Sequence, residues 1–348
     1  YSPKEQNVTV HVTKDSVESV EFINGRDTGE AEIVKIWQTS ASLSKEDVAR
    51  LEKDVMFTVK DKDGRYFKVG TVKNGKYIFE GVQEEAAYFK LINSKIAIVN
   101  VPTGEYEVTE INNAPGYLPK TETVSISVTK NMSTRIEFTN KAITGNVEVL
   151  KFDEDYPDIK LTGAEFTIFE MDKKTVVGKL TEVEKGVYRY DGLLYGEYYL
   201  QETKAPEYFI RDVNFYYFQI VNDGETVNVT NTEIGKGTFI NSPATGTIKV
   251  VKTAYDGKVA GIQFRITGTE YSTGKTYDKL FTTDEKGVIE VEFLRAGEYT
   301  VHEVENEELK KNYLLAEDQT VIISKPQNLQ LVKMHNHKKP DNPDTGVE

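Results

Sequence analysis

The 348-residue sequence contains no cysteine, and this absence removes several kinds of chemistry at once. It excludes disulfide bonds, thiolate metal sites and any reaction that needs a cysteine nucleophile or thioester. No hydrophobic run is long enough to span a bilayer. No signal peptide is present, so we expect either a cytosolic protein or a trimmed piece of an exported one. A formal net charge of −13 argues against binding to nucleic acid or to anionic membrane surfaces.

Helical periodicity is also scarce, whereas Tyr, Phe, Val, Ile and Thr are plentiful. This composition predicts an all-β protein, and the chain length predicts two to four domains. The sequence has 4 histidines. His302, His335 and His337 fall on outward positions of predicted strands without acidic or thiol company, so we expect no metal site and no cofactor.

One junction recurs along the chain. It reads NSPATGTIKVVK at 241–252, NKAITGNVEVLK at 140–151 and NGRDTGEAEIVK at 24–35. In each copy Gly stands five residues after Asn, and Lys stands six residues after Gly. A fixed spacing that occurs three times predicts an array of repeated modules.

Strand periodicity places three polar side chains of each module on an apolar, inward face. Ile248 and Val250 share a face with the lysine of their strand, and Tyr198 and Leu200 share a face with a glutamate. Burying a lone lysine is costly, so a partner in the core must compensate it. The predicted trios are Lys35, Glu110 and Asn140; Lys151, Glu202 and Asn241; and Lys252, Glu303 and Asn336.

Desolvation of such a trio predicts a specific reaction. Burial lowers the pKa of a lysine and raises that of a glutamate, which favours a neutral amine beside a protonated carboxyl group. The amine is a nucleophile, and the carboxyl group can polarise the asparagine carboxamide and shuttle protons. Attack on the carboxamide carbon would expel ammonia and leave a Lys–Asn isopeptide bond. This is one turnover within the chain, so we expect self-crosslinking and no enzyme.

The repeats divide the chain into five segments. Residues 1–27 match the last two strands of a module, so we expect them to be the end of an upstream module and Asn24 to stay unmodified. Three modules follow at 28–141, 142–241 and 242–337, and residues 338–348 form a polar linker. In the first module we expect a short helix after Ser44, a hairpin turn rather than a calcium loop at Asp61–Gly64, and an insertion at 82–95.

These motifs resemble the CnaB (collagen-adhesin B-type, SpaA-like) repeats of Gram-positive pilins and wall-anchored adhesins. The resemblance rests on the GxxxxxK openings, LTGAEF, GEYYLQETKAP, APGY and the FTN and FIN closures. It implies tandem Ig-like β-sandwiches in an elongated array, with the Lys strand beside the Asn strand. It further implies export, covalent attachment to the cell wall and an adhesive or stalk role. The third module departs from the family, because VENEELKKNY replaces the AP-GY break.

Two positions compete for the asparagine of the second module. Asn231 keeps the spacing from Tyr208, whereas Asn241 keeps the spacing to Gly246 and the Phe-x-Asn pattern. Some members of the family carry an extra strand before the last one. That would make 226–230 an added strand and Asn241 the reactive residue, which is the assignment we favour.

The C-terminal NPDTG resembles an LPxTG-type sortase motif, and the resemblance implies acyl transfer at Thr345 with sortase as partner. The motif comprises Asn342, Pro343, Asp344, Thr345 and Gly346. The pilin signature that contains Tyr-Pro-Lys is absent from the sequence, which favours an accessory pilin or an adhesin stalk over a polymerising shaft subunit. We expect a monomer, and the sequence names no host or matrix ligand.

A second class of function is an array of β-sandwiches that bind or process a ligand such as a carbohydrate. A glycosidase needs paired carboxylates in an open cleft. Each predicted glutamate instead lies on an apolar face with one lysine, which argues against that class. The insertions of the first module could still form a ligand site.

Overall fold

A computed structural model describes residues 7–21, 25–120, 122–232 and 237–340. The described chain forms two compact units. The first extends to residue 145 and includes the short segments 194–196 and 221–225. The second holds 146–193, 197–220 and the remainder from 226 onward. One hydrophobic core lies in the first unit, and two separate cores lie in the second.

The first module, with its core around Ile33, Phe57 and Phe138, contains eleven of the described strands and one helix. The elements are β1 (Thr28–Gln38), α1 (Lys45–Glu52), β2 (Met56–Asp61), β3 (Tyr66–Phe67), β4 (Val72–Lys73), β5 (Lys76–Ile78), β6 (Val82–Gln83), β7 (Phe89–Lys90), β8 (Lys95–Pro102), β9 (Gly104–Glu110), β10 (Val124–Val128) and β11 (Ser133–Lys141). One sheet has the order β11-β1-β8-β5-β4. The other has the order β10-β9-β2-β3-β6, with β7 also pairing β2.

The second module packs around Val149, Phe166 and Phe239. Its strands are β12 (Thr144–Asp153), β13 (Glu165–Phe169), β14 (Val176–Lys179), β15 (Thr181–Glu184), β16 (Val187–Leu194), β17 (Gly196–Lys204), β18 (Phe215–Ile220), β19 (Thr226–Asn228) and β20 (Thr238–Asn241). One sheet has the order β15-β16-β12-β19, with β20 also pairing β12, and the other has the order β14-β13-β17-β18.

The third module packs around Val250, Phe264 and Met334. Its elements are β21 (Thr245–Ala254), β22 (Gln263–Glu270), β23 (Thr276–Thr282), β24 (Val288–Arg295), β25 (Gly297–Glu303), α2 (Glu307–Asn312), β26 (Tyr313–Leu314), β27 (Gln319–Ile323) and β28 (Leu329–Lys338). Its two sheets have the orders β24-β21-β28-β26 and β23-β22-β25-β27.

The same plan therefore recurs in each module, and the predicted all-β fold of tandem sandwiches is confirmed. The first and last strands lie side by side and parallel, as β1 with β11, β12 with β20 and β21 with β28. Parallel neighbours need a long crossover, and the rest of the module supplies it. The period-two alternation of these strands puts their apolar side chains between the two sheets.

The second module has an extra strand before its last one, as expected, and it is shorter than 226–230. It is β19, which pairs in parallel with the first half of β12, while β20 pairs in parallel with the second half. Both strands therefore lie along β12. Asn231 lies between β19 and β20, and Asn241 ends β20.

Local structure in the first module follows the sequence. The helix predicted after Ser44 is confirmed as α1, whose N-terminus is closed by a reciprocal pair of hydrogen bonds between Ser44 and Asp47. The predicted hairpin turn joins β2 to β3. The Asp61 carboxylate accepts hydrogen bonds from the Arg65 side chain at 2.7 and 3.0 Å and from backbone amides. The Asp61 carboxylate therefore stabilises the turn.

The described residues before the first module, 7–21, contain a turn between Thr13 and Ser16 and no helix or strand. The side chains of Val8, Val10 and Val12 are exposed. The assignment of 1–27 to an upstream module stays a prediction, and Asn24 lies outside the described residues.

A buried ion pair joins the second and third modules within their shared unit. Arg295, at the end of β24, donates to Asp153 at 3.2 and 2.5 Å and to Asp155 at 3.0 Å. Its guanidinium lies 4.8 Å from the ring centre of Tyr156. Asp153 is fully buried at the end of β12, two residues after Lys151. The corresponding positions are Trp37 and Ala254, so this charge belongs to the second module alone among the three.

Candidate crosslinking sites

The lysine and the asparagine of each predicted trio lie on the parallel pair of first and last strands. In register, Lys35 stands opposite Phe138, Lys151 opposite Phe239 and Lys252 opposite Met334. The asparagine follows two residues later on the same face in every module, at Asn140, Asn241 and Asn336. The same backbone register therefore places a lysine and an asparagine near each other, on the inward face of adjacent strands, in all three modules.

The glutamate reaches the pair from the opposite sheet. Glu110, Glu202 and Glu303 end or nearly end β9, β17 and β25. Each stands opposite a phenylalanine of the neighbouring strand, namely Phe57, Phe166 and Phe264. The structure thus brings together all nine residues of the three predicted trios, including Glu303, in spite of the divergent sequence that follows it.

In the first module, Lys35 and Glu110 form a close ion pair. The lysine Nζ lies 3.0 Å from Oε1 and donates to Oε2 at 3.1 Å. The Nδ2 of Asn140 donates to Glu110 at 3.0 Å and to the Oδ1 of Asn113 at 2.6 Å. Asn113 itself donates to the carbonyl of Tyr117. Sequence reasoning missed Asn113, although it follows Glu110 by three residues in the motif EINNAPGY.

In the second module, the lysine and the glutamate are further apart. Nζ of Lys151 lies 4.0 Å from Glu202 and donates instead to the carbonyl of Phe239 at 3.2 Å. The Oε2 of Glu202 accepts from the backbone N–H of Asp212 at 2.8 Å and from Asn241 at 2.9 Å. Its Oε1 is buried and has no hydrogen-bond partner in the described structure. A backbone amide therefore takes the place that the lysine occupies in the first module.

The third module has a close ion pair like that of the first module. Lys252 lies 3.0 Å from Glu303, and Asn336 donates to the same carboxylate at 2.7 Å. The Oδ1 of Asn336 accepts a hydrogen bond from the backbone N–H of Ala316 at 3.1 Å. The side chains of Lys252 and Glu303 are 0% and 1% exposed, so water has almost no access to them.

Burial sets the charge states of these groups. It lowers the pKa of Lys35 and of Lys252, and in both cases a hydrogen bond from the lysine to its glutamate opposes the shift. For Lys151, burial lowers the pKa to about 8, and the attraction of Glu202, Asp212 and Asp153 offsets it only in part. Burial also raises the pKa of Glu202. The second module thus comes nearest to a neutral amine beside a protonated carboxyl group.

Asp212 and Asn231 support the trio of the second module. The carboxylate of Asp212 accepts from the hydroxyl of Tyr216 at 2.5 Å and from Nδ2 of Asn231 at 2.9 Å. Asn231 also exchanges two hydrogen bonds with the backbone of Ile240, both at 2.8 Å. Asn231 therefore holds the backbone next to Asn241, and its hydrogen bonds go to Asp212 and Ile240 and not to Lys151 or Glu202.

Other candidate residues lie apart from the trios. The side chain of His302 hydrogen-bonds Asp318 at 2.7 Å, and that of His335 hydrogen-bonds Thr253 at 2.8 Å, both at the surface. The described residues contain no cluster of three metal-ligating side chains and no helix long and apolar enough to cross a membrane. The sortase-like residues 342–346 lie outside the described chain.

The insertions of the first module border an open groove of about 680 Å³ between α1 and the turn at 91–94. Its lining includes the apolar side chains of Leu43, Val48 and Leu91 and the charged side chains of Lys45 and Lys53. The groove is separate from Lys35 and its partners.

A model of the SpaA prealbumin-like fold domain matches residues 39–142, 145–233 and 246–338. The chain belongs to this family. Each match covers most of one of the three cores, and the family agrees with the CnaB and SpaA-like resemblance of the sequence. No curated protein matches the chain.

Comparison with solved structures gives several matches. The Bacillus anthracis TIE protein is 22% identical with a TM-score of 0.64, and the match covers 89% of this chain and 51% of that one. This SpaA-family chain therefore spans about half the length of that protein, and the likeness shows the fold alone. BcpA, the major pilin subunit of Bacillus cereus, is 14% identical over 90% of this chain and 100% of its own, with a TM-score of 0.38. The major pilin SpaD from Corynebacterium diphtheriae is 13% identical over 90% and 98%, with a TM-score of 0.27.

Proposed function

We propose that the chain is a stalk fragment of a surface adhesin or accessory pilin, and that each module crosslinks itself. The proposed bonds join Lys35 to Asn140, Lys151 to Asn241, and Lys252 to Asn336. The observation that carries the proposal is the threefold recurrence of a buried Lys–Glu–Asn trio at one register of one strand pair. A buried ion pair by itself is weak evidence for stability, whereas a shared geometry with a nucleophile and an electrophile points to chemistry.

The proposed reaction needs only groups that each trio contains. The neutral lysine amine attacks Cγ of the asparagine, and the Nζ–Cγ bond forms. The glutamate takes a proton from the attacking nitrogen and delivers it to Nδ2, the Cγ–Nδ2 bond breaks, and ammonia leaves. Atoms and charge balance without a cofactor. Each trio has one carboxylate with no open cleft around it, which does not suit a glycosidase.

Such a bond would act where tension enters the module. The first and last strands are parallel neighbours, so pulling on the two ends of the chain shears them against each other. A covalent bond from Lys151 to Asn241 would connect the entry strand β12 directly to the exit at the end of β20. The core between them would then carry little of the force, and a stalk built in this way would extend little under load.

The wider role is proposed on the family and on the sequence. Export to the cell surface, attachment to the wall and recognition of NPDTG by sortase fit a SpaA-like repeat protein. They also fit a protein without cysteine, since isopeptide bonds would replace disulfides as the covalent staple. We propose a monomeric, non-enzymatic stalk whose host or matrix ligand is bound elsewhere.

Peptide mapping tests this function. The chain is digested under denaturing conditions, and branched peptides are sequenced by tandem mass spectrometry. We expect branched peptides that join each of the three lysines to the asparagine of its own module. Recovery of all six residues in linear, unmodified peptides would refute the proposal.

A further inference from the structure

The three carboxamide groups differ in what contacts their oxygen atoms. The Oδ1 atoms of Asn140 and Asn241 are buried and have no hydrogen-bond partner within the described structure. The Oδ1 of Asn336 accepts from the backbone N–H of Ala316 at 3.1 Å. Leaving a buried carbonyl oxygen without a hydrogen bond costs free energy. The carboxamides of Asn140 and Asn241 are therefore less stable in their sites than the carboxamide of Asn336.

The orientation of each carboxamide follows from its neighbours. Nδ2 of Asn140 faces two acceptors, and Nδ2 of Asn241 faces Glu202 and the carbonyl of Ile210, both at 2.9 Å. While the glutamate is ionised, rotating either group by half a turn would set its oxygen against two acceptor oxygens. Rotating Asn336 would set its NH₂ group against the N–H of Ala316. The contacts therefore fix Oδ1 as the unpaired atom in the first two modules and as a paired atom in the third.

The extra donor comes from the stretch where the third module leaves the family pattern. Asn306 caps α2 by accepting from the N–H of Leu309 at 2.8 Å. The strand β26 that follows pairs antiparallel with the end of β28, through Tyr313 and Leu314. This pairing carries the chain back past Asn336, so that Ala316 faces the carboxamide. The first two modules have an Ala-Pro break here instead.

The position of this N–H matters for the reaction. Attack by Lys252 on Cγ turns Oδ1 into an oxyanion, and a fixed donor at that atom stabilises the transition state. We propose that the backbone N–H of Ala316 is the oxyanion donor of the third module, a group with no counterpart among the described residues of the other two modules. This inference rests on the proposed crosslinking.

A donor at Oδ1 changes what the glutamate must do. Glu303 can begin as a carboxylate, take the proton from the attacking nitrogen and pass it to Nδ2 as ammonia leaves. Oδ1 then returns to a carbonyl. In the first two modules no fixed donor at Oδ1 is found among the described residues. Their oxyanion must take the carboxyl proton after the carboxamide turns its oxygen toward the glutamate, so Glu110 and Glu202 must begin protonated.

The two mechanisms have different pH dependences. A site that needs a neutral lysine with a protonated glutamate has a rate that passes through a maximum and falls as pH rises. A site that needs a neutral lysine with a carboxylate has a rate that rises with pH and then levels. In the described third module, Glu303 is the charged group that acts on Lys252. Around it, Asp256 pairs with Tyr313 next to α2, and His302 pairs with Asp318 on the outer face of β25.

The test follows crosslinking as the full chain folds. Unfolded, uncrosslinked chain recovered from inclusion bodies is diluted into native buffers from pH 6 to pH 10, on the order of the range over which such pairs titrate. Samples are quenched with acid, and the branched peptide of each module is quantified by mass spectrometry. We expect the rate of the third module to level at high pH while those of the first two fall. Parallel profiles for all three modules would overturn the inference.

An amide-to-ester replacement at Ala316 removes the N–H and keeps the methyl side chain. We expect it to slow crosslinking of the third module about a hundredfold. The crosslinking rate of that module should then fall at high pH, as in the second module. Ala316→Gly keeps the N–H and should keep the rate. Folding of the ester chain is checked by the melting of its third module in an Asn336→Ala background.

The outcomes separate this inference from the proposed function. If no module loses ammonia, the proposed function fails. Two outcomes refute only the proposed oxyanion donor, provided that the second module crosslinks. In one, the ester at Ala316 leaves the crosslinking rate of the third module unchanged. In the other, the third module never crosslinks.

Discussion

The second and third modules hold the same three side chains at the same register and yet arrange them differently. In the third, Lys252 and Glu303 are 3.0 Å apart and form an ion pair. In the second, Lys151 and Glu202 are 4.0 Å apart, the amine donates to the carbonyl of Phe239, and a backbone amide holds the carboxylate. The strands set the register in both modules, so the difference comes from the loops that flank them.

The comparison shows that one strand pairing can support two ground states. An ion pair stabilises the charged lysine and so lowers the fraction of neutral amine, which is the form that reacts. Separating the partners in a buried site removes that stabilisation, and burial then lowers the pKa of Lys151 to about 8. We therefore expect the second module to crosslink fastest near neutral pH, with the third relying on the donor at Ala316.

The largest effect is expected from Glu202→Ala. This change removes the proton carrier and leaves Lys151 buried without its partner, so the bond of the second module should not form. By analogy with a disulfide that closes a long loop, the free energy of unfolding should fall by on the order of 4 kcal/mol. Calorimetry and peptide mapping measure the two effects.

Glu197→Ala is the matched control, because Glu197 lies on the same strand, is exposed and hydrogen-bonds Tyr217 at 2.7 Å. It should crosslink fully. Full crosslinking in Glu202→Ala as well would show that the role assigned to the glutamate is wrong.

Arg295→Met should have the next largest effect. It leaves the fully buried carboxylate of Asp153 uncompensated, which typically costs about 3 kcal/mol or more. The freed charge also acts on Lys151, whose pKa it raises, and so moves the second module toward the charged state of the other two. We expect a lower melting temperature and slower crosslinking in the second module.

The double variant Asp153→Leu/Arg295→Met removes both charges and should recover most of the stability. If Arg295→Met melts like the unaltered protein, the ion pair between the second and third modules is not the stabilising contact we describe.

The pH dependence of stability gives a smaller effect. In Asn241→Ala, which cannot crosslink, the folded pKa of Lys151 is about 8 and the unfolded value is near the ordinary 10.5. Between these values the unfolded chain binds more protons, so stability rises with pH, by at most about 1.4 kcal/mol per pH unit. Below pH 8 both states are protonated and the slope from this group vanishes.

Chemical denaturation between pH 8 and 9.5, about the lower part of that window, measures the slope. Adding Lys151→Met to the same background should remove it, and Asn336→Ala should show a weaker slope in the third module. A slope that survives the loss of Lys151 would contradict the assignment.

The smallest effect is expected from Asn231→Ala, and comparing it with Asn241→Ala shows which asparagine reacts. Asn231→Ala removes hydrogen bonds that fasten the closing strand, which costs about 1 kcal/mol for each, and it should slow crosslinking without preventing it. Asn241→Ala should prevent it. The opposite pattern in peptide mapping would make Asn231 the reactive residue.

The sequence predicts the trios well because they depend on local periodicity. Alternation within a strand places Lys35, Lys151 and Lys252 on inward faces, and a fixed spacing repeats the pattern. The supporting contacts depend on loops instead. The N–H groups of Asp212 and Ala316 carry no side-chain signal, and their positions follow from how distant segments return to the strand pair. The ion pair between Arg295 and Asp153 joins two modules, so no local sequence pattern predicts it.

The strands β19 and β20 of the second module show the same limit. The segment around Val227 has the composition of a strand, and its pattern predicts the added element that β19 forms. The sequence does not show that β19 and β20 pair with successive halves of the same strand, β12. Register against a distant strand, which a single sequence does not reveal, thus determines which asparagine meets the glutamate.

The intact mass of the denatured chain tests the central claim most directly. Each crosslink expels one ammonia, so the protein should be lighter than its sequence by three ammonia molecules, and a variant with all three glutamates changed to alanine should show no loss. The mass of the variant controls for other modifications. A protein whose mass equals that of its unmodified sequence would contradict the account.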